Sequence, residues 1–336
     1  MRDSEFTWRD GERTIHFRAG VIADSPEILA AHGFERYELL TTERAMGVSP
    51  VVLAKEAADF HHIPLGPVNE IAARVIADVH EPDLVALGGG RVIDVAKAIV
   101  AVRGGRVAAL PTTLSGAEMT RIHRLPDGHE SRSGLVRPEV VLADPPLMVT
   151  LPEDRLRASA MNALAHGADS LYTPLANPVS KMAALRGARL IGDALDTPRE
   201  QRDPARLALG AILCAYALDS ALFGLHHVIC QSLVREMRLP HAQTNATILP
   251  RAIEALIPRV GPEMTALART LRTKRADLPA RIEELGGGRR RLSELGGEKG
   301  EPLGRVVKAI MARPELQLTP DVPGEREIRA LLDDAW

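Results

Sequence analysis

A chain of 336 residues with 45% hydrophobic and 26% charged residues is long enough for two domains with cores of their own, and that balance excludes a disordered polypeptide. The formal net charge of −2 argues against a nucleic-acid or anionic-membrane surface, either of which calls for a basic excess or a basic face. The one basic run, Arg289-Arg290-Arg291, follows three glycines and reads as a solvated turn.

At the start of the chain, "MRDSEFTWRDGERTIHF" is charged and holds no apolar run, so no secretory signal is visible. No later stretch of about 18 apolar residues is present to span a bilayer, and the expectation is a cytoplasmic protein without membrane contact. Up to about residue 145, short β-type runs ("YELLTTE", "DLVALGGG", "RVAALPTT", "PEVVLADP") alternate with stretches of helical period ("PVVLAKEAADFH", "VNEIAARVIADVH", "DVAKAIVAVR"). Strands alternating with helices predict a parallel sheet covered on both faces, a Rossmann-like α/β domain. From Pro152 onward the β signal disappears, and the remaining segments are helical by period, among them "PEDRLRASAMNALAHGADSLY" and the long run "DPARLALGAILCAYALDSALFGLHHVICQSLVREM". The expected division is an α/β domain over 1–148 and an all-helical domain over 149–336, with the boundary in the proline-rich "DPPLMVTLP". Cys214 and Cys230 lie in apolar helical patterns and read as reduced core residues.

Two turns and one group of imidazoles carry the chemistry. "LVALGGGRVIDVAKAI" runs from strand through Gly88, Gly89 and Gly90 into a helix, where backbone N–H groups and the helix N-terminus suit a diphosphate; taken alone, three glycines equally make a plain tight turn. "ALPTTLSGAEMT" ends the next strand with Thr112, Thr113 and Ser115, donors suited to a diphosphate or a nicotinamide amide, or simply a helix cap. Both turns fall at the carboxyl edge of the sheet, where α/β folds bind ligands. In "MNALAHGADSLY", Asn162 and His166 are four residues apart and share a helical face. His226-His227 and His241 follow downstream, each with a bland reading as a core or surface histidine when considered singly.

In order along nearly the whole chain, "GGGRVIDVAK", "PTTLSGAEMT", "MNALAH", "GLHH", "LPHAQT" and "LLDDAW" resemble the iron-containing alcohol dehydrogenase superfamily, whose architecture is that of dehydroquinate synthase, and its maleylacetate reductase branch in particular. The resemblance implies an N-terminal dinucleotide-binding domain, a C-terminal helical domain, a cleft between them and a homodimer. It assigns cofactor contacts to Gly88, Gly89, Gly90, Arg91, Asp94, Lys97, Thr112, Thr113, Ser115 and Thr42. In metal-using relatives an aspartate and three histidines hold the ion. Those positions are Asn162, His166, His227 and His241 here, and the loss of the anionic ligand predicts a metal-independent enzyme. The expected activity is hydride transfer between NAD or NADP and a keto or enoyl acid such as maleylacetate, with His166, His227 or His241 polarising the substrate.

Departures from the family are Arg91 after the glycines, Gln231 and Asn245 at positions where imidazoles are usual, and Thr42, with Arg44 nearby, in place of the acidic residue of NAD-preferring relatives. They leave two alternatives standing: a diverged dehydrogenase of a peptide-tailoring pathway with a peptide substrate, and a non-catalytic subunit of a hetero-complex that keeps the fold.

Overall fold

The computed structural model describes residues 6–49, 52–129 and 134–336, and the chain divides into two compact units, Met1–Leu151 and Pro152–Trp336. The first holds seven strands: β1 (Phe6–Asp10), β2 (Arg13–Phe17), β3 (Glu38–Thr41), β4 (Asp59–His62), β5 (Leu84–Gly88), β6 (Val107–Pro111) and β7 (Val140–Ala143). They form one sheet in the order β1-β2-β7-β6-β5-β3-β4, parallel except for the β1-β2 hairpin. The helices of this unit are α1 (Ser25–Ala31), α2 (Glu43–Gly47), α3 (Val52–Glu56), α4 (Val68–Val75), α5 (Gly90–Arg103) and α6 (Pro145–Met148).

The central strands are apolar at every position because both faces of the sheet are covered. Side chains alternate across a strand, so Leu84 and Ala86 of β5 join Val107 and Ala109 of β6 against Ile71, Val95 and Ile99. Val85 and Leu87 point the other way, with Ala108, Leu110 and Leu142, onto Leu29 and Phe34. The register Leu39↔Val85↔Ala108 puts the carboxyl ends of β3, β5 and β6 side by side. The chain leaves β3 for the edge strand β4 and then crosses back to β5, so the strand order reverses beside Gly88, and that reversal opens a ligand crevice in α/β sheets.

The four expected strands are present, and three others were not anticipated. The stretch "PVVLAKEAADFH" does not continue as one helix: α3 ends at Glu56, and Asp59–His62 become β4, a largely exposed edge strand whose polar residues carry no core pattern. Pro50 and Val51 of that stretch lie outside the described residues. The β1-β2 hairpin turns at Gly11, which has φ +65°, and "DG" between two alternating segments was the available signal.

The second unit is helical throughout: α7 (Glu153–Asp169), α8 (Pro178–Leu195), α9 (Pro204–Ala221), α10 (Leu225–Met237), α11 (His241–Leu256), α12 (Gly261–Thr270), α13 (Leu278–Leu285), α14 (Glu301–Met311) and α15 (Glu325–Asp334). Proline at the first helical position, preceded by a side-chain cap, starts α8 after Asn177 and α9 after Asp203. α7 is buried along nearly its whole length and packs against α8, α9, α10 and α11, so every polar residue on it must find its partners inside the protein. α8 and α9 approach through glycines: a Cβ on Gly187 would lie 2.7 Å from the Gly210 carbonyl oxygen. Both cysteines are buried and unpaired, and burial raises the Cys214 thiol to about 12.

The long apolar run from Pro204 to Met237 is two helices, not one. α9 stops at Leu222, where φ is +60°, and α10 sets off at 97° to it after Gly224. No single described helix is long and apolar enough to cross a membrane; only this bent pair passes on length and composition.

Candidate active site

β5 delivers the chain at Gly88, and α5 starts at Gly90 with no side chain capping its N-terminus. Cβ atoms on Gly89 and Gly90 would lie 3.0 Å from the side chains of Thr113 and Ser115, so glycine lets this turn press against the turn that follows β6. The Thr112 N–H donates to Gly88 O (2.9 Å), joining the two turns. Among the described residues the buried Thr113 hydroxyl and the Nε of half-buried Arg91 have no partner, and burial lowers the Arg91 guanidinium from its ordinary value. An uncapped helix N-terminus, closely approachable backbone and unspent donors suit the diphosphate of a dinucleotide.

Other residues expected at the cofactor have duties within the fold. Thr42 caps α2, accepting the Ala45 N–H (3.2 Å), and Arg44 donates to Thr112 O (3.2 Å), Thr112 Oγ1 (3.0 Å) and Thr150 Oγ1 (3.0 Å). Lys97 is fully buried; its Nζ donates to the carbonyls of Ala117, Thr120 and Ile122, each at 3.0 Å, and lies 2.7 Å from Asp94 Oδ1. Lys97 and Asp94 thus pin the segment beyond the second turn. Glu118 is buried in that segment with neither carboxyl oxygen hydrogen-bonded; burial raises it to about 7 against the opposing pull of its own N–H, Lys97 and Arg13.

In the helical unit the imidazoles gather around a residue that the sequence reading passed over. Asp169, at the end of α7, is fully buried. Its Oδ2 accepts the backbone N–H of Gly224 (3.2 Å) and of His227 (3.2 Å) and lies 2.8 Å from His227 Nδ1; its Oδ1 accepts the hydroxyl of Tyr172. The Tyr172 oxygen in turn accepts the Leu225 N–H at 2.9 Å. The carboxylate therefore holds the N-terminus of α10 and fixes the His227 ring together. Gly224 is obligatory here because a Cβ would fall 2.7 Å from the Tyr172 hydroxyl. With Nδ1 facing a carboxylate, the proton belongs on Nδ1 and the lone pair of neutral His227 on Nε2, which is buried and has no partner among the described residues.

His166 stacks on His227, centroids 4.9 Å apart and planes 20° apart, and its Nδ1 is also buried without a partner. Asn162 lies buried one turn earlier on the same helix. His226 is turned away: its Nε2 is 3.2 Å from Asn245 O and its Nδ1 3.3 Å from His227 Nδ1. Burial lowers His166, His226 and His227, and the positive form of nearby His241 opposes protonation of each. His241 itself is exposed at the first residue of α11. Asn245 is buried and donates to His241 O (2.8 Å), while half-buried Gln231 accepts from Arg313 Nη2 (2.9 Å).

These donors do not suit a tightly held cation. No carboxylate stands among Asn162, His166, His227 and His241. Imidazole lone pairs lie in the ring plane, so the stacked rings of His166 and His227 do not aim at one point. Among the described residues, the only His, Cys, Asp and Glu atoms that converge are those of Asp169, His226 and His227, and they are spent on one another and on backbone. Asp169 was legible in principle: a carboxylate three residues after His166, in a helix too apolar to leave it solvated.

A glycine turn suited to a diphosphate on a parallel sheet, and a buried imidazole cluster in a helical unit, are the parts a nicotinamide-dependent oxidoreductase needs. Residues 12–145 match the iron-containing alcohol dehydrogenase family and 157–336 its C-terminal region, so the chain belongs to that family and is an NAD(P)-dependent dehydrogenase or reductase. It is 33% identical over 325 residues to the maleylacetate reductase of Burkholderia cepacia, covering 90% of this chain and 85% of that one. Maleylacetate reductase 1 of Rhodococcus opacus is 31% identical, with 100% and 97% covered. The crystal structure of maleylacetate reductase from a Rhizobium species aligns with a TM-score of 0.82 at 28% identity, covering 100% of this chain and 99% of that one.

Two outcomes follow from this geometry. Asp169→Asn leaves an amide N–H facing backbone donors and releases the His227 ring; it is expected to destabilise the protein by about 3 kcal/mol and to lower kcat on the order of 100-fold, read by urea unfolding and steady-state kinetics. Glu118 is raised from 4.5 to about 7, so the folded state keeps a proton that the unfolded chain gives up. The stability this proton confers is complete below pH 4.5, falls as pH rises to 7, and is gone above. Glu118→Gln should therefore stabilise the protein at pH 8 by about 2 to 3 kcal/mol, with a gap that closes towards pH 4.5.

Proposed function

We propose that this protein is a metal-independent NAD(P)H-linked reductase of maleylacetate or a closely similar keto acid. The observation that carries this reading is the Asp169–His227 contact: a buried carboxylate holds the ring at Nδ1, and Nε2, like Nδ1 of the stacked His166, has no partner among the described residues. The likeness to maleylacetate reductases over nearly the whole chain supports the choice of substrate.

When bound, the reduced nicotinamide supplies the hydride. Gly89, Gly90, Arg91, Thr113 and Ser115 are the residues that would hold its diphosphate. In the helical unit the division of labour follows from protonation. His227, neutral with its proton on Nδ1, offers only a lone pair at Nε2, so it accepts a hydrogen bond and orients the substrate. His166 and His241 are left to donate to the oxygen on which negative charge develops, and His241, being exposed, can recover a proton from solvent. His227 thus takes the role of acceptor, which separates it from the other two imidazoles.

The test is purified protein mixed with NADH or NADPH and maleylacetate, followed by loss of reduced-nicotinamide fluorescence, with metal content measured on the same sample. The account expects turnover that survives chelator treatment and far less than one transition metal per chain. Absence of turnover with both cofactors, or activity that returns only when iron or zinc is added back, contradicts it.

A further inference from the structure

On α10, Gln231 follows His227 by one turn, so the two side chains leave the same face, with about 6 Å of helix rise between them. His227 is deeply buried and Gln231 half-buried, so this face runs from the imidazole cluster towards solvent. At Gln231 it meets Arg313, which caps the 3-10 turn Pro314–Leu318. Arg313 Nη2 donates to Gln231 Oε1 at 2.9 Å and Nε to Glu315 Oε2 at 2.8 Å. The two bonds engage Nε and Nη2. Nη1 has no partner among the described residues, and the side chain is 25% exposed. What remains is Nη1, a charged donor for a further anionic oxygen.

Gln231 makes this possible. An imidazole at that position would, when protonated, repel the guanidinium, whereas an amide oxygen accepts from it without adding charge. Glu315 holds the guanidinium at Nε and leaves Nη1 unengaged.

We infer that Arg313, oriented by Gln231 and Glu315, anchors the distal carboxylate of a dicarboxylate substrate whose reacting carbon lies at the imidazole cluster. One helical turn corresponds to roughly five carbon–carbon bonds of extended chain, which suits a short linear diacid. This rests on the imidazole cluster being the reaction centre. It assigns the substrate class to one guanidinium among the many arginines of the chain.

The test compares wild type with Arg313→Ala, Arg313→Lys and Gln231→Leu, using maleylacetate and its analogue with the distal carboxylate converted to an amide. Arg313→Ala should raise KM for maleylacetate about 10- to 100-fold, as loss of a charge-assisted pair requires, while changing kcat and the amide analogue's KM little. Arg313→Lys should restore part of the loss, and Gln231→Leu should raise KM by a smaller factor. A readout without turnover separates this inference from the activity itself: thermal unfolding with maleate and with crotonate. Wild type should be stabilised by the diacid and not by the monoacid, and Arg313→Ala should abolish that difference. If the diacid still stabilises Arg313→Ala as it does wild type, or KM rises equally for maleylacetate and its amide, Arg313 is only a strut between the 3-10 turn and α10, and the inference fails. Diacid selectivity without maleylacetate turnover would retain the anchor and overturn the proposed activity.

Discussion

Asp169 is the contact on which the candidate active site depends. A carboxylate buried at the end of α7 is tolerable only when donors surround it, and the donors it finds are the first N–H groups of α10, the hydroxyl of Tyr172 and the Nδ1 of His227. Satisfying the carboxylate therefore does three things at once. It closes the sharp bend between α9 and α10, it seats the helix that carries His226 and His227, and it chooses which nitrogen of His227 is left with its lone pair. The orientation of the His227 ring is thus supplied from within the chain, by a carboxylate.

The sheet unit follows a related logic with backbone in place of charge. Gly89 and Gly90 remove side chains so that the turn after β5 can lie against Thr113 and Ser115, Gly88 makes room for Val92 of α5, and the start of α5 is left without a side-chain cap. Lys97, drawn entirely inside, holds the segment behind that surface through three carbonyls. One lysine and three glycines thus shape the cradle without one of them having to be a specific reader of the cofactor.

Much of the architecture was legible because it rests on periodicity. β5 and β6 are continuous apolar runs closed by Gly88 and Pro111, and the helices beyond Pro152 announce themselves by spacing and by proline and asparagine or aspartate caps. What escaped were β4, an edge strand without a buried face, the short β1-β2 hairpin at the start of the chain, and the break at Leu222, where an apolar run continues through a change of direction that only a positive φ records. The histidines were visible from their order along the chain. Their division of labour was not, because it is set by Asp169, whose partners come from residues 55 and 58 positions away. Lys97 shows the opposite limit: a basic residue downstream of a glycine turn suggests a phosphate contact, and only the packing reveals that backbone carbonyls have already claimed it.

The account turns on the state of one ring. Nitrogen-15 shifts of the His227 imidazole, read in histidine-labelled protein at neutral pH and assigned with His227→Gln, should show a protonated Nδ1 and a bare Nε2, with that preference lost in Asp169→Asn. A proton on Nε2 in the wild-type protein, or a ring indifferent to the loss of Asp169, would contradict it.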